Sequence, residues 1–156
     1  MSIAPTLALL SLSVCVQTPA HDAKPAPDLI GKAWLNTDGG KPITLASRRG
    51  KVTLVHFWTF ACSNCAANLA AYSAWQKQFE KEGVLVIGIH TPELDFERDE
   101  KNVIAAMKKR GITYPVLLDP DFANWKKWDQ EYWPTVYVLD KENRIRYKWT
   151  GELAWK

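Results

Sequence analysis

The sequence is poor in cysteine and methionine and has no strong excess of either charge. Its 156 residues include 3 Cys and 2 Met, and 20 basic against 17 acidic residues give a formal net charge of +3. So small a charge, with no Lys/Arg run longer than Lys108–Arg110, disfavours a nucleic-acid-binding protein. The sequence also has no internal repeat, low-complexity tract or glycine-rich nucleotide fingerprint. These features predict one globular domain of ordinary size, with no metal, flavin or nicotinamide cofactor.

The first 20 residues carry no Asp, Glu, Lys or Arg. Ile3–Val16 is mostly apolar, and Thr18 and Ala20 place small side chains at the two positions that a signal peptidase reads. We therefore predict a signal peptide over residues 1–20, and an exported protein in the periplasm or another extracytoplasmic space. A Pro- and Ala-rich tether over 21–27 and a domain over 28–156 follow it.

Two other interpretations of this N-terminal segment are less favoured. A lipid anchor at Cys15 conflicts with Val14, because a small residue is expected just before an acylated cysteine. A membrane span is disfavoured because the apolar run is shorter than the ~20 residues that cross a bilayer and is broken by Pro5. We expect no membrane span in the mature chain.

Hydrophobic patterning predicts an α/β domain with a partly parallel sheet, because strands alternate with helices. Val52–Trp58 is a dense β-branched and aromatic run, typical of a strand buried on both faces. A helix over Cys62–Glu82 follows it. The further predicted elements are strands over Val84–Ile89, Tyr114–Leu118, Thr135–Leu139 and Arg144–Trp149, helices over Asp99–Arg110 (Val103, Ile104 and Met107 inward) and Asp121–Trp128, and an N-terminal β-hairpin turning at Asp38–Gly40.

Cys62 and Cys65 are the cysteines that remain after export, and their spacing indicates chemistry rather than structure. A disulfide between them closes a very small loop and constrains the unfolded chain little. The strand-to-helix pattern places Cys62 at a helix N-terminus, where free N–H groups and the helix dipole stabilise a thiolate. A thiolate attacks disulfides, and Cys65, one turn later, is placed to resolve the mixed disulfide. His90, at the end of the next strand, is expected at the same sheet edge.

Other sites built on such a cysteine pair fit less well. Zinc needs four ligands, and His21, His56 and His90 are widely scattered. Covalent haem attachment needs a histidine at position 66, which is alanine. A thiol peroxidase with Cys62 as the peroxidatic thiol stays open, because Thr59 lies three residues before it. That group's expected proline is replaced by Val55.

The segment from Phe57 to Cys65, FWTFACSNC, resembles the active-site segment of thioredoxin-like proteins of the TlpA/DipZ type. The resemblance extends over nearly all of residues 27–151, through the segments WLNTDG, HTPE, GITYPV and YWP. It implies a thioredoxin-like fold, with a central mixed β-sheet flanked by helices, and an exported thiol–disulfide oxidoreductase. In that family the role is usually reductive, for example in cytochrome c maturation. Thioredoxin-like domains end in a helix, which this sequence does not show after Gly151.

The resemblance also implies roles for individual residues. Cys62 matches the attacking thiol and Cys65 the buried resolving thiol. Pro134 matches the family's cis-proline, which exposes the backbone of Trp133 to an extended segment of the partner. Trp58 and Thr59 are expected to line the pocket.

His56 stands where thioredoxins keep a buried acid, and a neutral imidazole could take the proton of Cys65. A core histidine that is hydrogen-bonded to backbone is the alternative. Glu93 and His90 are secondary candidates for a proton relay. With no cofactor predicted besides the redox-active pair itself, electrons must come from a membrane-bound or soluble thiol protein. The expected substrates are protein thiols and disulfides. The rival from another class is a non-catalytic binding module that docks through Trp58 and Trp133.

Overall fold

The computed structural model describes residues 23–154. The predicted signal peptide, residues 1–20, and Cys15 lie outside these described residues. Within residues 23–154, no helix combines the length and the apolar character that a membrane crossing requires.

A six-stranded mixed sheet forms the centre of the domain, as predicted. Its strands are β1 (Trp34–Leu35), β2 (Thr53–Trp58), β3 (Leu85–His90), β4 (Val116–Leu118), β5 (Thr135–Leu139) and β6 (Ile145–Thr150). The order across the sheet is β1-β4-β3-β2-β5-β6, with β2, β3 and β4 parallel and the other pairs antiparallel. Every residue of β2 is buried, as its unbroken apolar pattern indicates. The carboxyl ends of β2 and β3 therefore meet at one edge, where Trp58 lies opposite His90.

Helices cover both faces of the sheet. They are α1 (Ser63–Phe79), α2 (Glu100–Arg110) and the short α3 (Ala123–Lys127). Side chains alternate along β2, so that Leu54 and Trp58 pack into the core beneath α1 and α2, whereas Phe57 contacts Trp125 of α3 on the other face. Val103 and Met107 of α2 point inward, but Ile104 is 45% exposed, so its predicted inward position is wrong.

The predicted N-terminal hairpin does not form. Trp34 and Leu35 pair with Leu117 and Val116 of β4, not with residues after the turn. Asn36, at φ 56°, turns the chain out of the strand, and its side-chain amide donates to the carbonyls of Ile112 and Tyr114. Residues 38–40 then form a single 3-10 turn. The chain therefore turns where the sequence predicts a turn, but the strand before this turn pairs with β4, far along the chain.

The described ends of the chain pack against the domain. Within the predicted tether, Ala26 N–H donates to the Asn143 carbonyl at 2.9 Å, and the Lys24 carbonyl accepts from Ile145 at 2.9 Å. After β6 the described residues 151–154 form no helix. Instead the buried Asn68 of α1 donates to the Gly151 carbonyl (3.0 Å) and accepts from Leu153 N–H (2.7 Å).

Candidate active site

Cys62 and Cys65 lie at the first turn of α1, where the chain leaves β2. Cys62 is the N-cap residue of the helix, and its Sγ accepts a hydrogen bond from the backbone N–H of Cys65 at 3.1 Å. This contact satisfies one of the free N–H groups that every helix start presents. Cys62 is half-buried, whereas Cys65 is 1% exposed, and both are free thiols. One sulfur is accessible from solvent, and the other lies beneath it.

The two thiols differ in their surroundings. Burial raises the pKa of the Cys65 thiol well above its ordinary value, and the hydrogen bond that this thiol makes with the Cys62 sulfur raises it further. Cys65 therefore stays protonated and acts as a donor. The Cys62 sulfur accepts a hydrogen bond from the Cys65 N–H at the N-terminus of α1, where the helix dipole is positive. The assignment of Cys62 as the attacking thiol and Cys65 as the resolving thiol stays a prediction.

The Glu97 side chain binds both loops beside the dithiol, a role that the sequence did not predict. Its side chain is buried, and its carboxylate accepts from the Thr59 hydroxyl and from the N–H groups of Ala61 (2.8 Å), Glu93 (2.9 Å) and Leu94 (2.9 Å). Burial by itself would raise the pKa of Glu97, but these four donors lower it below its ordinary value. One carboxylate thus ties the loop after β2, which carries Cys62, to the loop after β3.

The loop before β5 lies across the active site from the loop that carries Cys62. The Trp133–Pro134 peptide bond is cis, as the motif predicts. Trp133 packs on Trp125 with ring centroids 3.9 Å apart, and Tyr132 is 63% exposed. Tyr132 and Trp133, with residues 61–64, Glu93 and Glu131, line a cleft of about 500 Å³ beside Cys62.

Two residues predicted to line the pocket do not reach it. Trp58 is fully buried, because it ends a strand that is covered on both faces. Thr59 is 1% exposed, and its hydroxyl is turned to Glu97. The corrected lining around Cys62 is Ala61, Ser63, Asn64, Glu93, Glu131, Tyr132 and Trp133.

His56 is fully buried on the α1 side of the sheet. Its ring stacks on Tyr72 at 4.3 Å between centroids and meets Tyr114 edge-on at 5.4 Å. Neither ring nitrogen has a hydrogen-bond partner among the described residues, so the alternative of a histidine bonded to backbone is wrong. Burial lowers the pKa of His56 from 6.5 to about 3, which keeps the imidazole neutral.

The two secondary candidates lie at the predicted sheet edge. His90 is 2% exposed and stacks on Phe60 at 5.6 Å, and burial lowers its pKa to about 4. Glu93 is exposed and lines the cleft with Cys62. Within residues 23–154, no group of three or more His, Cys, Asp or Glu is arranged to hold a metal ion.

Two known proteins are similar to most of this chain. DipZ of Mycobacterium tuberculosis is 42% identical over 128 residues, which are 81% of this chain but 18% of DipZ. The chain thus spans about a fifth of the length of that relative. The thiol-disulfide oxidoreductase YkuV of Bacillus subtilis is 28% identical over 129 residues, covering 82% of this chain and 84% of YkuV. The resemblance to the DipZ type is confirmed.

The fold is also confirmed by a solved structure. The solution structure of a thioredoxin-like protein in the oxidized form superposes with a TM-score of 0.75 at 28% identity, covering 84% of this chain and 86% of the other. A model of the AhpC/TSA family matches residues 23–148. This match extends over most of the sequence, and the chain, with its thioredoxin-like fold, belongs to the AhpC/TSA family.

Proposed function

We propose that the protein is a thiol–disulfide oxidoreductase that exchanges disulfides with protein partners through Cys62 and Cys65. The observation that carries the proposal is the asymmetry of the pair. The Cys62 sulfur is accessible and accepts hydrogen bonds at a helix N-terminus, whereas Cys65 is buried and protonated beneath it. The name of YkuV, a thiol-disulfide oxidoreductase, agrees with this activity.

The reaction follows from these positions. The Cys62 thiolate attacks one sulfur of a partner disulfide, forms a mixed disulfide and expels the partner's other sulfur as a thiolate. Cys65 then gives up its proton and attacks the Cys62 sulfur. The partner leaves with its second thiol, and a Cys62–Cys65 disulfide remains. Two electrons pass from the dithiol to the partner disulfide, and the reverse sequence oxidises a partner dithiol.

The second step requires a proton acceptor for Cys65. We propose His56 as a relay for this proton rather than as its resting place. Its ring is neutral and both of its nitrogens lack a partner, so one nitrogen would take the proton as the other gives up its own, because a pKa of about 3 does not let the ring hold both. Tyr72, which stacks on His56, lies in the same buried cluster as Cys65. No hydrogen bond joins His56 to Cys65 in this conformation of the described residues, so the transfer needs a small movement or an intervening group.

A peroxidase mechanism is less well supported. It would use the Thr59 hydroxyl beside the peroxidatic Cys62, but this hydroxyl is buried and donates to Glu97. A non-catalytic binding module would not need one accessible and one buried thiol. Its docking surface would also lack Trp58, which is fully buried.

The cellular role is the finer part of the proposal. The uncharged, apolar segment at residues 1–20 supports export, and the TlpA/DipZ resemblance supports a reductive role on extracytoplasmic thiols, such as those of a c-type cytochrome precursor. A separate thiol protein would then re-reduce the Cys62–Cys65 disulfide.

Trapping experiments test this function. The Cys65→Ser variant keeps the attacking thiol but cannot resolve the mixed disulfide, so partner proteins should accumulate on Cys62 and be released by reductant. The matched control is Cys62→Ser/Cys65→Ser, which should trap nothing. Mass spectrometry of the adducts identifies the partners. If the single and double variants capture the same proteins, or if no adduct forms in cells, the exchange mechanism is wrong.

A further inference from the structure

The cleft beside Cys62 carries two carboxylates and no cationic side chain. Glu93 enters it from the loop after β3, and Glu131 from the loop before β5. Both residues are exposed, and neither has an ion-pair partner among residues 23–154. A segment that brings its cysteine to Cys62 therefore meets two uncompensated negative charges.

Glu93 is held in place by the same anchor that holds the cysteine loop. Its backbone N–H donates to Glu97 at 2.9 Å, and Glu97 also binds Ala61, the residue before Cys62. Burial and the hydrogen bond to Cys62 are the larger causes that raise the pKa of the Cys65 thiol. The charge of Glu93 raises this pKa further. This carboxylate thus lies within electrostatic range of the dithiol.

The two charged side chains that line the cleft are opposite in sign to the net charge of the chain. The chain has a net charge of +3, yet residues 93–100 contain five acids and one arginine, Arg98. Arg98 lies 3.6 Å from Asp95, which it partly neutralises. Arg110 contacts the cysteine loop from the end of α2, where it donates to the Phe60 carbonyl, but it is not among the residues that line the cleft.

An exposed ring accompanies these charges. Tyr132 lines the cleft and is 63% exposed, so it offers an apolar face next to Glu131. A partner segment with both a cationic and an apolar side chain would complement this surface, whereas an acidic segment would meet repulsion.

We propose that the cleft selects extended protein segments in which the reacting cysteine is flanked by lysine or arginine, with an apolar residue against Tyr132. This inference rests on the proposed function, because it names the substrate class of the same dithiol. An extended chain advances about 3.3 Å per residue, so side chains adjacent to the cysteine stay within the cleft. Complementary charge raises the rate of encounter more than the final affinity.

Two peptide probes of equal length test the inference. Each has one cysteine joined by a disulfide to the coloured leaving group 5-thio-2-nitrobenzoate, and the cysteine is flanked on both sides by lysine in one probe and by glutamate in the other. Cys62 attacks the peptide sulfur and expels the coloured thiolate, and Cys65 then displaces the peptide thiol, so two electrons pass from protein to probe. The rate of colour release by the reduced protein is measured at low and at high salt.

The lysine probe should react about tenfold faster at low salt, and high salt should reduce this ratio. In Glu93→Gln/Glu131→Gln the ratio should fall close to one. The control Glu80→Gln/Glu142→Gln changes the net charge equally at exposed positions elsewhere and should keep the ratio. Equal rates for the two probes, or the same loss of preference in both double variants, would overturn the inference while the proposed function stands. Failure of both probes to react would overturn the proposed function itself.

Discussion

The Glu97→Gln substitution removes the charge from the carboxylate that holds two loops beside the dithiol. Glu97 accepts from the Thr59 hydroxyl and from three backbone N–H groups, those of Ala61, Glu93 and Leu94. A glutamine amide can serve them best with its oxygen toward Glu93 and Leu94 and its NH₂ group toward Thr59. The hydroxyl can then rotate to accept a hydrogen bond, but the Ala61 N–H faces another donor.

The expected loss of stability is about 3 kcal/mol. One buried N–H loses its acceptor, which costs about 1–3 kcal/mol, and the remaining bonds weaken from charge-assisted to neutral by about 1 kcal/mol each. The smaller desolvation cost of an amide offsets part of this sum. A domain of this size has about 5–15 kcal/mol of stability, so the variant should fold and its unfolding free energy should be measurable.

Urea unfolding over a range of pH gives the test. Because the folded-state pKa of Glu97 lies below its ordinary value, its contribution is present above the unfolded-state pKa and is lost as the pH falls through the folded-state pKa. The difference between wild type and Glu97→Gln should therefore be largest near neutrality and shrink in acid. Glu142→Gln, an exposed turn residue, is the control and should change little. A Glu97→Gln effect as small as that of Glu142→Gln would refute the anchoring role.

Two further substitutions probe the buried cluster above the sheet. His56→Phe should flatten the pH dependence of stability. The wild type loses about 1.4 kcal/mol per pH unit as its unfolded state takes up a proton below 6.5 that the native His56, with a pKa of about 3, refuses. The same variant should alter the pH profile of mixed-disulfide resolution, and an unchanged profile would dismiss His56 as a proton relay. Gly88→Ala should destabilise by about 1–3 kcal/mol in urea unfolding, because its Cβ would lie 3.0 Å from both His56 Nε2 and Trp58 Nε1. An unchanged urea midpoint would show that the His56 and Trp58 side chains move aside with no measurable loss of stability.

Local patterns were sufficient for the elements that carry the dithiol. The apolar run of β2 and the helix that follows it are encoded in neighbouring residues, so the N-terminal position of Cys62 could be predicted. The spacing of apolar residues also located α2, β5 and β6. The family resemblance placed Trp58 and Thr59 in the pocket, whereas both are buried. A single sequence does not show how completely neighbouring elements cover the end of a buried strand.

Long-range contacts account for what was missed. Glu97 lies in an acid-rich stretch that is typical of an exposed surface, and its partners Thr59 and Ala61 are 38 and 36 residues away. The pairing of β1 with β4 joins residues more than eighty positions apart, whereas the hairpin prediction used the nearest turn. Asn68 likewise binds Gly151 and Leu153, and its place in an alanine-rich helix gives no signal of this role.

The proposed mechanism requires that Cys62 is an activated, accessible thiol and that Cys65 is a protected one. The most direct measurement is the rate at which iodoacetamide alkylates each cysteine of the reduced protein at neutral pH, resolved by mass spectrometry and compared with a cysteine in an unstructured peptide. The account predicts that Cys62 reacts faster than the peptide and that Cys65 stays unmodified. Alkylation of Cys62 no faster than the peptide, or of Cys65 before Cys62, would contradict it.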